Sequence, residues 1–315
     1  MSADVSASDL YRKAKAIFID ENGEGTVEDG IKYLREAAEL GDAYAQNDYA
    51  KLLNEGIVLH KDQKEAMKWF GKAAEQGIDE SRFFLGLMYY EGKVTEKNYT
   101  EAARWLRLSA EHGYPMAQYY TGLCYYNGYG VFRDKNVAIR WFMMAANRGV
   151  PQARVTLGDI YSDLNNPERN YKEALKLYKL ASDSGDPEAH YKLGMCYFNG
   201  KGTPQNYIKA SMIFREGMKL GHSECEFMLG KMYDCGIGVE SDHNSATRML
   251  SHAAYTGSVR AKEYLEEKSQ GHKRKAPEQH KAETEYVVLN TPDVVGKVKG
   301  AESGEGFLGF LRKRL

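Results

Sequence analysis

Long apolar runs are missing from this sequence: no stretch approaches the ~20 consecutive apolar residues that a membrane-spanning helix needs. The N-terminal MSADVSASDLYRKA has no basic segment leading into an apolar one, so a soluble, cytoplasmic chain without a Sec-type leader is expected. Charge of one sign is missing as well. Lysine and arginine number 43 against 44 aspartate and glutamate, a formal net charge of -1. No global field then draws in nucleic acid, an anionic membrane or an acidic substrate, and any charged site must be local. Cysteine is scarce, with Cys124, Cys196, Cys225 and Cys235 forming no framework of close pairs, which suits a reducing compartment. The eight histidines are scattered, and neither a His-Glu-x-x-His pair nor a Gly-x-Ser-x-Gly elbow occurs. These absences lead us to expect no catalytic residue, no metal ligand and no cofactor. Asn98 opens a glycosylation sequon, but a chain without a leader does not meet that machinery.

What is present is periodicity. Gly41, Gly77, Gly113, Gly149, Gly185, Gly221 and Gly257 follow one another at intervals of 36 residues. The same step relates Ala66, Ala102, Ala138, Ala174, Ala210 and Ala246, and it relates Tyr89, Tyr125, Tyr161, Tyr197 and Tyr233. Within each period apolar residues recur at three and four, a helical spacing, and strand-like alternation is absent. Two helices fit each period. The first carries a small residue (Ala45, Ser81, Ala117, Ala153, Ala189, Cys225, Ala261), then a Leu-Gly pair such as Leu85-Gly86 or Leu157-Gly158, then the tyrosine. The second runs from the alanine column through Trp69, Trp105 and Trp141, which the period assigns to the core, and ends before the interval glycine. A glycine just past a helix end reads as a left-handed cap. One such pair cannot bury its own apolar face, so stability must come from stacking neighbours into a curved superhelical rod.

The period also absorbs most candidates for chemistry. Cys225 occupies the small-residue column, and Cys124 with Cys196 shares one core column, so these read as buried structural thiols and not as a metal set with His222 and Cys235. Gly-x-Gly loops such as Gly128 to Gly130 and Gly200 to Gly202 follow helices, whereas phosphate loops follow strands.

The Leu-Gly-x-x-Tyr-x-x-Gly-x-Gly-Val run from Leu229 through Tyr233, Gly236 and Gly238 to Val239 resembles the Sel-1-like repeat, a relative of the tetratricopeptide repeat. The resemblance covers residues 26 to about 267. It implies an all-α fold, a right-handed α/α solenoid of 36-residue helix-turn-helix repeats, and a non-enzymatic scaffold or adaptor that binds protein partners. Two alternatives come with the family: an exported effector acting on a host protein, and a β-lactam-interacting hydrolase. Members linked to β-lactams carry a paired cysteine in each repeat, and this chain lacks that pattern. Leu164 and Asn166 replace the Gly-x-Gly of the copy beginning at Val150, so that turn should differ in shape.

Residues 1–25 read as a degenerate capping repeat, 26–267 as the solenoid, and 268–315 as a polar linker with a tail motif. The tail holds an apolar Tyr286 to Leu289 run and a basic Lys273 to Lys275 patch. Its end places Phe307, Phe310 and Leu311 at helical spacing beside Arg312, Lys313 and Arg314. That combination suits peripheral contact with an anionic membrane or a partner groove, or an unstructured tail.

First helices of stacked pairs line the concave side, so their columns outside the core choose the partner. Positions just before the Leu, after the Gly and after the Tyr give Phe84, Leu87 and Tyr90, then Tyr120, Leu123 and Tyr126. The next copy is polar (Thr156, Asp159, Ser162), and later ones add Met195 and Phe198 beside Lys192. Either these eight apolar residues form a partner-binding groove, or they pack between neighbouring first helices. Burying one of them against a partner contributes roughly 1.5–3 kcal/mol, so three or four would give micromolar binding.

Overall fold

The computed structural model describes residues 6–19 and 25–270, which fall into two compact units divided between Arg148 and Gly149. The described residues form fifteen α-helices and no strand. The first unit contains α1 (Ala7–Ile19), α2 (Val27–Glu39), α3 (Ala43–Glu55), α4 (Gln63–Glu75), α5 (Asp79–Glu91), α6 (Tyr99–Glu111), α7 (Pro115–Asn127) and α8 (Lys135–Asn147). The second contains α9 (Pro151–Ser162), α10 (Tyr171–Ser182), α11 (Pro187–Asn199), α12 (Tyr207–Lys219), α13 (Ser223–Cys235), α14 (His243–Tyr255) and α15 (Val259–Gln270). Within each unit a helix packs on the one before it and the one after it. In the second unit α9, α11, α13 and α15 also touch in sequence.

Each pair is punctuated the same way because the same residues recur. Gly41 has φ 97° and donates to the Ala38 carbonyl at 3.1 Å, while Asp42 donates to Ala37 at 3.0 Å. This left-handed closure satisfies carbonyls that α2 leaves open. All seven interval glycines share a positive φ. The start of each second helix has its own marker, which sequence reasoning passed over. Thr26, Asp62, Asn98 and Asp134 in one unit, and Asn170, Asn206 and Asp242 in the other, cap these helices with a side-chain oxygen. Asn98 Oδ1, for example, accepts from the Glu101 amide at 3.1 Å. The sequon asparagine therefore has a local structural role, and a capping side chain of this kind contributes ~1 kcal/mol.

The core is set by how closely the helices of a pair approach. Leu34, Phe70, Leu106 and Phe142, then Tyr178, Phe214 and Leu250, form one column one residue past the tryptophan positions, and none is more than 2% exposed. A Cβ at Gly122 would meet the Phe142 ring, and one at Gly194 the Phe214 ring. The glycine of each Leu-Gly pair thus makes room for the large residue opposite. Trp69 is buried edge-on against Tyr49 at 5.7 Å, but Trp105 and Trp141 are only half-buried. The tryptophan positions border the core; its centre lies one residue further on.

The turn in the copy beginning at Val150 does differ. Helix α9 ends on Asp163 in extended conformation, where Gly128 and Gly200 end their helices left-handed, and Asn166 Nδ2 donates to the Ile160 carbonyl at 2.8 Å. Helix α1 pairs with α2, so a hairpin straddles residue 25; α15 continues to Gln270, past the expected boundary at 267. The Lys273 patch, the Tyr286 run, and Phe307, Phe310, Leu311, Arg312, Lys313 and Arg314 lie outside the described residues.

Candidate functional site

Six of the eight residues singled out for partner contact lie in the first unit. Phe84 is half-buried and stacks on Phe70 at 5.1 Å; Tyr126 is half-buried, with Lys135 Nζ 5.7 Å from its ring centre. The other four are interior. Leu87 is 6% exposed, Tyr90 5%, Tyr120 2% and Leu123 2%. Tyr90 is enclosed by the rings of Tyr99, Tyr120 and Tyr129 at 5.5, 5.6 and 5.8 Å, and burial pushes its phenol far above the usual range. Of the two alternatives, groove or packing between first helices, Leu87, Tyr90, Tyr120 and Leu123 follow the packing one, and Phe84 and Tyr126 stay half-open. In the second unit Met195 and Phe198 are both half-buried, with Phe198 edge-on to Tyr207 at 5.0 Å.

Polar networks link neighbouring helices in each unit. In the first unit Asp48 accepts from the Tyr11 hydroxyl at 2.9 Å and faces Lys15 at 3.6 Å, while Lys51 pairs with Glu80 at 2.9 Å. Burial pushes the Asp48 carboxyl up. In the second, Asp159 accepts from Tyr178 at 2.7 Å and pairs with Lys192 at 3.1 Å. Burial pushes Asp159 up; it also works against charge on Lys192, but Asp159 and Glu188 hold that ammonium above its usual range. Glu188 in turn lies 2.9 Å from His222 Nε2. Glu80 and Glu188 occupy one column of the repeat together with Glu224, a recurrence that was not extracted from the sequence.

Little here points to covalent chemistry. Burial pushes the Cys124 thiol up to about 12 and the Cys196 thiol to about 11, and raises Cys225 as well, which disfavours the thiolate that a nucleophile or metal ligand requires. Among the described residues no three His, Cys, Asp or Glu side chains converge as a metal set.

Open space also lies beside the second helices. A cavity of about 410 Å³ lies between α4 and α6, walled by Met67, Leu85, Tyr89, Val94 and Trp105. One repeat later the equivalent cavity is about 230 Å³, with Arg107 where the larger one has Gly71. A Cβ at Gly71 would meet nothing within 4 Å, so no packing need explains this mid-helix glycine, which costs ~1 kcal/mol relative to alanine.

The Sel1 repeat model matches residues 27–42, 43–78, 79–114, 115–150, 151–186, 187–222 and 223–258. The chain belongs to the Sel1 repeat family. Proteins of this family are typically protein-interaction scaffolds. Among solved structures, this chain is similar to c5321, a protective antigen present in uropathogenic Escherichia coli strains and displaying an SLR fold, with 31% identity and a TM-score of 0.67. The match covers 76% of this chain and 52% of that one, so this chain corresponds to about half of the antigen. A Sel1 repeat protein from Oxalobacter formigenes matches with 28% identity and a TM-score of 0.67, covering 79% and 98% of the two chains. No curated protein matches the sequence. No helix among the described residues is long and apolar enough to cross a membrane.

Proposed function

We propose that this Sel1 repeat chain is a non-enzymatic scaffold whose units each hold a protein partner on the first-helix face. In the first unit Phe84 and Tyr126 are the anchors; in the second, Met195 and Phe198. The observation that carries this reading is that these three rings and one thioether stay half-open while, in the first unit, Leu87, Tyr90, Tyr120 and Leu123 are already buried. Half-open aromatics over a rigid cluster lose little side-chain entropy on docking, which favours them as interface anchors.

The test is partner capture with the full chain. Phe84→Ala with Tyr126→Ala should reduce recovery of a bound protein at least tenfold, with helix content by circular dichroism unchanged. Full recovery of every partner by this pair, and by Met195→Ala with Phe198→Ala, would remove the first-helix assignment. Tyr120→Ala is unsuited to this test, because a side chain 2% exposed reports on stability before binding.

The protective-antigen description of the Escherichia coli relative favours a second reading, in which the same scaffold acts outside the cytoplasm on a host protein. Fractionation of the source cells separates the two: a pool confined to the cytosol supports the intracellular scaffold, and recovery from medium or surface supports export.

A further inference from the structure

The residues at the same place in the other repeats are Arg35, Arg107 and Met143 in the first unit and Lys179, Arg215 and Ser251 in the second, long side chains at every place but the last. Long side chains are the rule in this column, and Gly71 departs from it without a reason in the fold. Its backbone is ordinary helix, absent from the positive-φ glycines, and its missing side chain faces open space. The cavity beside it measures about 410 Å³ against about 230 Å³ one repeat later, with walls from Met67, Leu85, Tyr89, Val94 and Trp105. Such a volume accepts one large aromatic or aliphatic side chain.

Charges stand at the two ends of this groove. Lys64 and Glu75 both line it from α4, eleven residues and so roughly 16 Å apart along the helix. The other charged residues at its edge have partners: Lys68 bonds Glu65 at 2.8 Å and Glu101 bonds Arg104 at 3.4 Å. Lys64 and Glu75 form no ion pair among the described residues. A ligand lying along the groove therefore meets a cation at one end and an anion at the other.

We propose that the cavity between α4 and α6 is a second docking site, for a partner polypeptide that inserts one large apolar side chain, with a carboxylate on the Lys64 side and a Lys or Arg on the Glu75 side. It extends the scaffold reading but uses a different face, so the two can fail separately. The apolar anchor supplies affinity, and the flanking charges set direction along the groove.

The experiment is selection of a displayed library of random twelve-residue peptides on the full-length protein, followed by affinity measurement on Gly71→Arg and Gly71→Met. These side chains already stand at the equivalent positions 107 and 143, so both variants should fold, with melting temperatures at or above that of the parent. The expected result is a set of peptides with a large apolar residue between an acidic and a basic one, whose affinity falls at least tenfold in both variants. Lys64→Glu should weaken them about threefold, and Phe84→Ala with Tyr126→Ala should leave them unchanged. Absence of any Gly71-dependent peptide would overturn the proposal, as would Gly71-dependent peptides without the apolar anchor. Peptides lost on Phe84→Ala but retained by Gly71→Arg would support the first-helix reading and end this one.

Discussion

Replacing Phe142 by alanine should destabilise the full chain by about 3–5 kcal/mol, the range for a fully buried aromatic. Trp141→Ala should cost roughly 1–2 kcal/mol, although it removes a larger side chain. Phe142 is 0% exposed, and its ring stands where a Cβ at Gly122 would be, with Tyr119 at 5.8 Å and Tyr126 at 6.3 Å. Deleting it leaves a hole between α7 and α8 that neither backbone can close. Trp141 keeps one side in solvent, so much of what it loses was never removed from water. Urea unfolding followed by circular dichroism measures both. Equal midpoint shifts, or a larger one for Trp141→Ala, would mean that the core column has been misplaced by one residue.

Gly130→Ala should cost about 2–5 kcal/mol, adding a left-handed backbone penalty to an overlap that cannot relax. Gly130 has φ 69°, and a Cβ there would collide with the Tyr99 carbonyl and the Thr100 amide at the start of α6. These are backbone atoms, already fixed by the Asn98 cap. Gly41 supplies the control: its φ is also positive, but a Cβ there meets nothing within 4 Å, so Gly41→Ala should cost only about 1–2 kcal/mol. Because φ 97° at Gly41 is less favourable to alanine than φ 69° at Gly130, any excess cost at Gly130 is a lower bound on the close approach. If Gly130→Ala melts with Gly41→Ala in thermal denaturation, the turn does not press on the preceding repeat. Gly202 and Gly238 meet the backbone of Tyr171 and Tyr207 in the same way. The Gly-x-Gly loops are therefore packing devices, and their phosphate-loop look is a coincidence of spacing.

Much of the fold was legible because the interval glycines and the alanine and tyrosine columns never lose register. Phase within a helix was harder to read. Trp69 and Phe70 are both apolar and adjacent on the helix, and only the close approach at Gly86, Gly122 and Gly158 selects the second of the two columns as the centre. The capping column was present as Asp62, Asn98, Asp134 and Asn170, but Asn98 drew attention as a sequon instead. At the candidate site the sequence left groove and packing open for the same columns, and Leu87, Tyr90, Tyr120 and Leu123 are buried while Phe84 and Tyr126 are half-buried. Tyr99 and Tyr129 come from a different helix and from a turn, and their stacking at 4.5 Å beside Tyr90 is a tertiary event with no signature in the first-helix columns. The open second-helix groove was missed because Gly71 looks like a weak helix residue until it is set against the arginines and methionine of its own column.

Native-state hydrogen exchange on the full chain tests the central claim most directly, that stacked 36-residue helix pairs carry the structure. The slowest amides should recur every 36 residues, around Leu34, Phe70, Leu106 and Phe142 and again around Tyr178, Phe214 and Leu250. Protection gathered in one contiguous segment, with no such recurrence, would contradict it.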